Sequence, residues 1–333
     1  MKIKMLKKST NLFLILIILF IIILSTFSSA FPGSTYSLSL RAGSQVYEVK
    51  YYNDNLWKST VNPLSNPSDL FEGEANITGA KSKLVPLTTG GNDLSEFGIF
   101  IQFFFKWFDV PYNSLLKPNG YNDTYITERY PYYYLSWDFE FGYWNFTTQP
   151  FKTNSDFFRI NPGPPPKRVI ILQDPSLFSR MLLDYNDFAT VVNNDTVIQA
   201  ANYSLPLVNG EDILWELIKY RLVVASPINS YLNQITNSLN CTNASVQDDS
   251  IFLRRYGENI FDVDIKFNSL GIMDAIQMRN EEGVLFYHIV SSYPRNDVYI
   301  LFGVFCGIIF GLIGVHIYVK NRRKKEIVPN VRR

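Results

Sequence analysis

The chain has 333 residues, with 31 basic against 30 acidic side chains, 47% hydrophobic residues, 26 Phe, 21 Tyr, 5 Trp and two cysteines. These values exclude a disulfide-stapled miniprotein, a collagen-like fibre and a wholly disordered chain. Two uncharged apolar runs stand near the ends, and a long polar and aromatic stretch lies between them.

At the N-terminus Lys2, Lys4, Lys7 and Lys8 precede an unbroken apolar run over 12–24, followed by the small residues Ser28 and Ala30. A basic segment, an apolar core and a small-residue exit predict a secretory signal over 1–30, with an uncleaved anchor as the alternative. Residues 31–161 read as an aromatic-rich β part. The segment 44–51 carries strand-like alternation after Gly43, and the apolar-aromatic run 99–108, bounded by Gly98 and Pro111, predicts a second strand. Between Phe97 and Phe146, 20 of 50 residues are aromatic. Such a block fills a sheet core, lines a cavity for an apolar ligand, or stacks sugars and partner surfaces from outside. On strands, runs such as Phe103-Phe104-Phe105 and Tyr132-Tyr133-Tyr134 must point to both faces. In Trp137-Asp138-Phe139-Glu140-Phe141 the period is 2, which puts the rings on one face and both carboxylates on the other.

A proline-rich linker, 162–166, separates this part from an α+β part over 167–297. Two small domains or one sheet-rich domain with a crossing loop both satisfy that break. After a short apolar run at 169–172, Ile213, Leu214, Leu217, Ile218 and Leu222 follow helical spacing behind Asn209-Gly210-Glu211-Asp212. Ile228, Tyr231, Leu232, Ile235 and Leu239 do so behind Pro227. A strand meander over 260–267, 271–279 and 284–292 closes this part, with Asn280-Glu281-Glu282-Gly283 as its last turn. The predicted fold class is α+β, a mainly antiparallel β ectodomain with a few helices, plus one C-terminal transmembrane helix.

That helix spans 298–319, 22 residues without a charge between Asp297 and Lys320. At ~1.5 Å per residue it reaches roughly 33 Å, enough for a hydrocarbon layer of ~30 Å. Gly303, Gly307 and Gly311 stand four apart along it, a stripe that lets a second helix approach closely and predicts homo- or hetero-oligomers through the membrane. The tail 320–333, with Arg322, Arg323, Lys324 and Lys325, belongs on the cytoplasmic side in contact with anionic lipid. The N-terminal lysines predict the same topology, with 31–297 outside.

The first 30 residues carry four bases, and the tail seven bases with Glu326, which leaves 20 bases against 29 acids in the ectodomain, a net of −9. That sign repels phosphate backbones and excludes nucleic acid as a partner. Cys306 falls in the membrane run, so Cys241 stands without an intrachain partner and is either a buried small hydrophobe or an intermolecular bridge. Seven Asn-x-Ser/Thr acceptors, at Asn76, Asn122, Asn145, Asn194, Asn202, Asn240 and Asn243, all fall between the two apolar runs and predict a surface glycoprotein.

No GxSxG elbow, Walker A loop, HExxH, dinucleotide GxGxxG or EF-hand loop is present, and His288 and His316 are the two histidines, so no catalytic residue, metal or cofactor is expected. The remaining acids in pairs are Asp138 with Glu140 and Asp262 with Asp264. Alternate strand residues stand ~6.6 Å apart, a separation at which two carboxylates serve as acid and base on a glycoside, but any half-exposed strand produces it. Parity puts His288 on the opposite face from Tyr287.

The lysine-led signal, the opening Gly43, Val46, Tyr47 and Val49, the acceptor-rich β ectodomain and the single span with a basic tail together resemble uncharacterised archaeal, Asgard-like, surface-anchored single-pass membrane proteins. The final hairpin, through Asn280-Glu281-Glu282-Gly283, looks like the sheets of lipoprotein-carrier folds, which implies a cradle for an acyl chain; the lipobox cysteine of a lipoprotein is missing. The expected function is that of a type I single-pass cell-surface glycoprotein, its ectodomain extracellular, binding a lipid or glycan ligand or another envelope protein without catalysis. The alternative is a membrane-tethered envelope hydrolase using a carboxylate pair.

Overall fold

The computed structural model describes residues 36–38, 45–67, 78–146 and 167–292, together with Ile309 and Leu312. Residues Met1–Ser292 form one compact unit and Tyr293–Arg333 a second. The signal 1–30, the glycine row Gly303, Gly307 and Gly311, the tail residues Arg322, Arg323, Lys324 and Lys325, Asn76 and the linker 162–166 lie outside the described residues. So does the span 298–319 apart from Ile309 and Leu312; among the described residues no helix is long and apolar enough to cross a membrane.

The fold is α+β around a nine-stranded antiparallel sheet: β1 (Gln45–Tyr52), β2 (Lys81–Ser95), β3 (Tyr133–Phe146), β4 (Lys167–Leu172), β5 (Ala244–Gln247), β6 (Ser250–Tyr256), β7 (Ile260–Phe267), β8 (Met273–Asn280) and β9 (Leu285–Ser292). The order β4-β3-β2-β1-β9-β8-β7-β6-β5 shows two meanders, β1 to β4 and β5 to β9, joined where β1 pairs with β9; β4 follows residues 162–166 yet pairs with β3, so the break at 162–166 falls inside the first meander. The helices are α1 (Asp54–Thr60), α2 (Glu96–Ile99), α3 (Asp123–Arg129), α4 (Phe178–Asn193), α5 (Thr196–Ala200), α6 (Gly210–Lys219) and α7 (Ile228–Ser238). Helical and strand residues are about equal in number among the described residues, so the expectation of a few helices on a dominant sheet is corrected.

Much of that correction falls on 99–108, expected as a strand. Ser95 caps α2, its hydroxyl accepting from the Gly98 amide at 3.3 Å, and the helix widens into a π-helical stretch, Phe100–Phe105. Glu96, Ile99, Phe100, Phe103 and Phe104 are buried at helical spacing, while Gln102 and Lys106 reach solvent. With nearly every position apolar, period 2 and period 3.6 are indistinguishable in this run, and a capping serine decides between them. The rings then pack among themselves: Phe104 stacks on Tyr185 of α4 at 4.0 Å between centroids, and Phe100 meets Phe188 at 5.4 Å. This part of the aromatic block is core, each ring removing well over 100 Å² from water. On β3, by contrast, Tyr133 is exposed and Tyr134 buried, the alternation expected of a strand.

Residues 213–222 and 228–239 are helical as expected. Asn209 and Asp212 form a capping box at the start of α6, with bonds of 2.9 and 3.2 Å to each other's backbone N–H. α7 sits between the two edge strands. The Tyr231 hydroxyl donates to the Leu172 carbonyl of β4 at 2.6 Å, and the Asn229 amide donates to the Asp248 carbonyl in the β5–β6 turn at 2.7 Å. The sheet therefore curls around its helices, and one face of strands β1 and β5–β9 is covered while the other meets solvent.

Gly210, the first residue of α6, lies against the end of α7, where a Cβ would stand 1.9 Å from the Leu239 carbonyl oxygen. Gly210→Ala is therefore expected to cost at least ~2 kcal/mol, because a backbone and not a flexible side chain must yield. Gly98→Ala, whose Cβ meets nothing closer than 3.6 Å, is expected to be neutral or stabilising. Thermal melts of the two variants check the contrast.

Candidate functional site

Alternation along the C-terminal meander buries Phe261, Val263 and Ile265 and turns Asp262, Asp264 and Lys266 outward. The same period on neighbouring strands stacks the outward side chains into cross-strand rungs. One rung is Arg254, Asp262 and Arg279, and the next is Phe252, Asp264, Gln277 and His288, continued by Tyr51 of β1. Asn243 extends the first rung, since the Arg254 amide donates to its carbonyl at 2.8 Å.

Asn243, Phe252, Arg254, Asp262, Asp264, Gln277 and Arg279 floor an open groove of about 600 Å³ running from the β5 end across to β8, with His288 and Tyr51 beyond its lining on the same rung. Arg254 holds Asp262 with two bonds, Nε at 2.8 Å and Nη2 at 3.1 Å, a fork that matches the carboxylate. Arg279 donates to Gln277 Oε1 at 2.7 Å, and the Gln277 amide nitrogen lies 3.4 Å from His288 Nε2. Beyond its backbone ladder, the Asp264 carboxyl makes no side-chain hydrogen bond within the described residues. Burial raises its carboxyl above the ordinary range, against the pull of Arg279, Lys266 and His288. Burial also lowers His288, helped by the Arg279 and Lys50 charges, so the imidazole is neutral at pH 7.

The sequence-derived residues fall as follows. Asp262 and Asp264 share the open face, and His288 lies on it opposite the buried Tyr287. Asp138 is half-buried, and strand parity aligns it with the fully buried Tyr134 and Ser136, while the Glu140 side chain is outside the described residues. Asn194, Asn202, Asn240 and Asn243 are exposed; the half-buried Asn122 caps α3, its side-chain oxygen accepting from the Tyr125 amide at 2.9 Å; Asn145 is on β3, its side chain outside the described residues. The half-buried Cys241 packs against the core, and burial with the Glu211 charge pushes its thiol up to about 12. Among the described residues no cluster of His, Cys, Asp and Glu is arranged to hold a metal ion.

A second acidic group escaped the sequence reading. Glu96, fully buried at the first position of α2, lies beside the Tyr134 hydroxyl and Asp184 of α4, and Asp184 in turn pairs with Arg180 at 2.6 Å. Neither Glu96 carboxyl oxygen has a hydrogen bond of ordinary geometry, and burial pushes the group up to about 8, Asp184 adding to the rise while Tyr134 and Arg180 oppose it. Glu96 therefore carries its proton at neutral pH. Its enclosure makes it part of the core, not of a substrate site.

No family model matches the chain, and no curated protein or solved structure is significantly similar to it.

The Glu96 carboxyl is raised in the folded state from an ordinary 4.5 to about 8, so between those values the folded chain holds a proton that the unfolded chain has lost. Its contribution to stability is complete below pH 4.5, declines through the interval and is gone above pH 8, with a slope of up to ~1.4 kcal/mol per pH unit. Glu96→Gln is expected to flatten that part of the profile, which denaturant midpoints at pH 5, 7 and 9 would reveal; an unchanged slope assigns the effect elsewhere.

Proposed function

We propose that the chain is a type I single-pass cell-surface glycoprotein whose ectodomain recognises another envelope component, without catalysis, through the open face of its sheet. The observation that carries the reading is the groove floor. A structural sheet face needs only to be wetted, whereas here Arg254 and Asp262 fix each other's direction across β6 and β7, and Arg279 and Gln277 do so along β8. Groups already held in place lose little further freedom when a ligand arrives, which favours binding. The lysine-led N-terminal run, the uncharged 298–319 and the basic tail support the topology, and the four exposed acceptors at Asn194, Asn202, Asn240 and Asn243 support glycosylation.

Asp264 favours one second reading, a membrane-tethered hydrolase with Asp264 as proton donor and Asp262 as the ionised partner, since its raised pKa suits an acid. Against it, both Asp262 oxygens are engaged by Arg254, which leaves neither directed at a substrate.

Removing residues 298–333 is expected to convert the protein from a cell-surface to a released form, read by surface biotinylation against the culture medium; retention on the membrane fraction refutes the single-span topology. In the full chain, Gly307→Ile is expected to abolish a dimer signal in a membrane two-hybrid assay, because a β-branched side chain blocks the close helix approach. An undiminished signal removes the glycine row as an association surface.

A further inference from the structure

We infer that the ligand of the open face is an oligosaccharide, laid across strands β6 to β8 with Phe252 as its stacking plate; this rests on the reading of that face as the recognition surface. The chemistry of the groove selects among ligand classes. Phe252 presents its ring 37% exposed, in the same rung as Asp264 and Gln277. A sugar offers C–H groups on one ring face and hydroxyls around its edge, and the rung answers each. The ring of Phe252 meets the apolar face, Asp264 accepts hydrogen bonds from the hydroxyls, and Gln277 and His288 supply a mixed donor and acceptor edge.

Asp264 is the telling residue. It is a half-buried carboxylate on a recognition surface, partly desolvated yet without a hydrogen bond of its own among the described residues, so a hydroxyl pair arriving there restores bonds that folding removed. Tyr51, 40% exposed, closes the far end of the rung. Four strand intervals separate it from Phe252, roughly 19 Å at the usual ~4.8 Å spacing, a length suited to several linked sugar units.

Other classes fit less well. An acyl chain needs a continuous apolar wall, and here Arg254, Asp262, Asp264 and Arg279 stand among the apolar Phe252, Ala244, Leu253 and Val263. An extended peptide binds by adding to an unpaired strand edge, but β6, β7 and β8 are each paired on both sides. A polyanion meets Asp264, and the Arg254 charge is already matched by Asp262.

The test uses the full-length protein in detergent, titrated calorimetrically with maltotetraose, chitotetraose and mannotetraose. Binding of at least one, weakened tenfold or more by Phe252→Ala and by Asp264→Asn with unchanged melting temperatures, is the expected result. Leu64→Ala, at an exposed position away from the groove, serves as the control and keeps full affinity. Absence of binding by all three, or undiminished affinity in both groove variants, overturns the proposal. Binding that emerges only in Asn243→Gln also overturns it, because the groove is then filled by the protein's own glycan. A final arm separates this inference from the reading beneath it: if no tetrasaccharide binds but the protein sediments with purified, deglycosylated host envelope and Arg279→Ala abolishes that, the sugar proposal falls and the recognition surface stands. If neither binds, both fall.

Discussion

The pairing of β1 with β9 is the contact on which the rest of the sheet depends. Each meander can form from neighbouring segments, but neither buries a complete face until Val46–Val49 zip against 289–292, residues separated by more than 200 positions of the chain. The closure entropy of so long a loop must be met at this one seam, and the side chains there are chosen accordingly. Gln45 reaches the Ser291 hydroxyl at 2.6 Å, and the Tyr47 hydroxyl reaches past β9 to the Met273 carbonyl of β8 at 2.9 Å, so the seam is tied by directional bonds beneath its ladder. Trp57 of α1 then covers it, edge-on to Tyr287 at 5.6 Å and to Phe286 at 6.0 Å.

Joining two meanders leaves two free edges, a liability for any open sheet. Here both are drawn to the same helix. β4 is fastened to α7 through Tyr231, which is fully buried with its ring against Tyr36 at 5.1 Å, and the β5–β6 turn is fastened through Asn229. β5 itself has only four residues and begins directly after Asn243, so the exposed edge is short. Curling the sheet around the helices also separates its faces by character: apolar inward, with charged and amide side chains left on the outside.

How much of this the residues disclose depends on whether the signal is local. Strand β7 coincides with the period-2 run at 260–267, and α6 begins at the Asn209 and Asp212 caps, because in both places polar and apolar positions alternate cleanly within one element. α4 was missed although Met181, Tyr185, Phe188, Ala189 and Val192 keep helical spacing; Asp184 interrupts the apolar stripe, and its reason for being there, Arg180 beside it and Glu96 opposite, comes partly from an element far away in sequence. The candidate groove was legible only in halves. Parity alone places Asp262 with Asp264 and sets His288 apart from Tyr287, but the rung that aligns Phe252, Asp264, Gln277 and His288 is a property of register across four strands. Register is fixed by the bulges and turns between strands, at Val49/Tyr51 and Met278/Arg279 among them, and no single strand carries that information.

The two acidic groups show how one chain keeps carboxylates for opposite ends. Glu96 is raised by enclosure among rings, with no route to solvent, and its proton resolves what would otherwise be a buried charge beside Asp184. Asp264 is raised by partial burial on a face that remains open, with a basic residue and an amide on the adjoining strand. Neutralising the first completes a core; leaving the second without a hydrogen bond completes nothing within the fold. A half-desolvated acceptor is a cost that packing alone does not repay, and on a face where its neighbours Asp262 and Gln277 are each engaged, that imbalance marks where an external hydroxyl belongs.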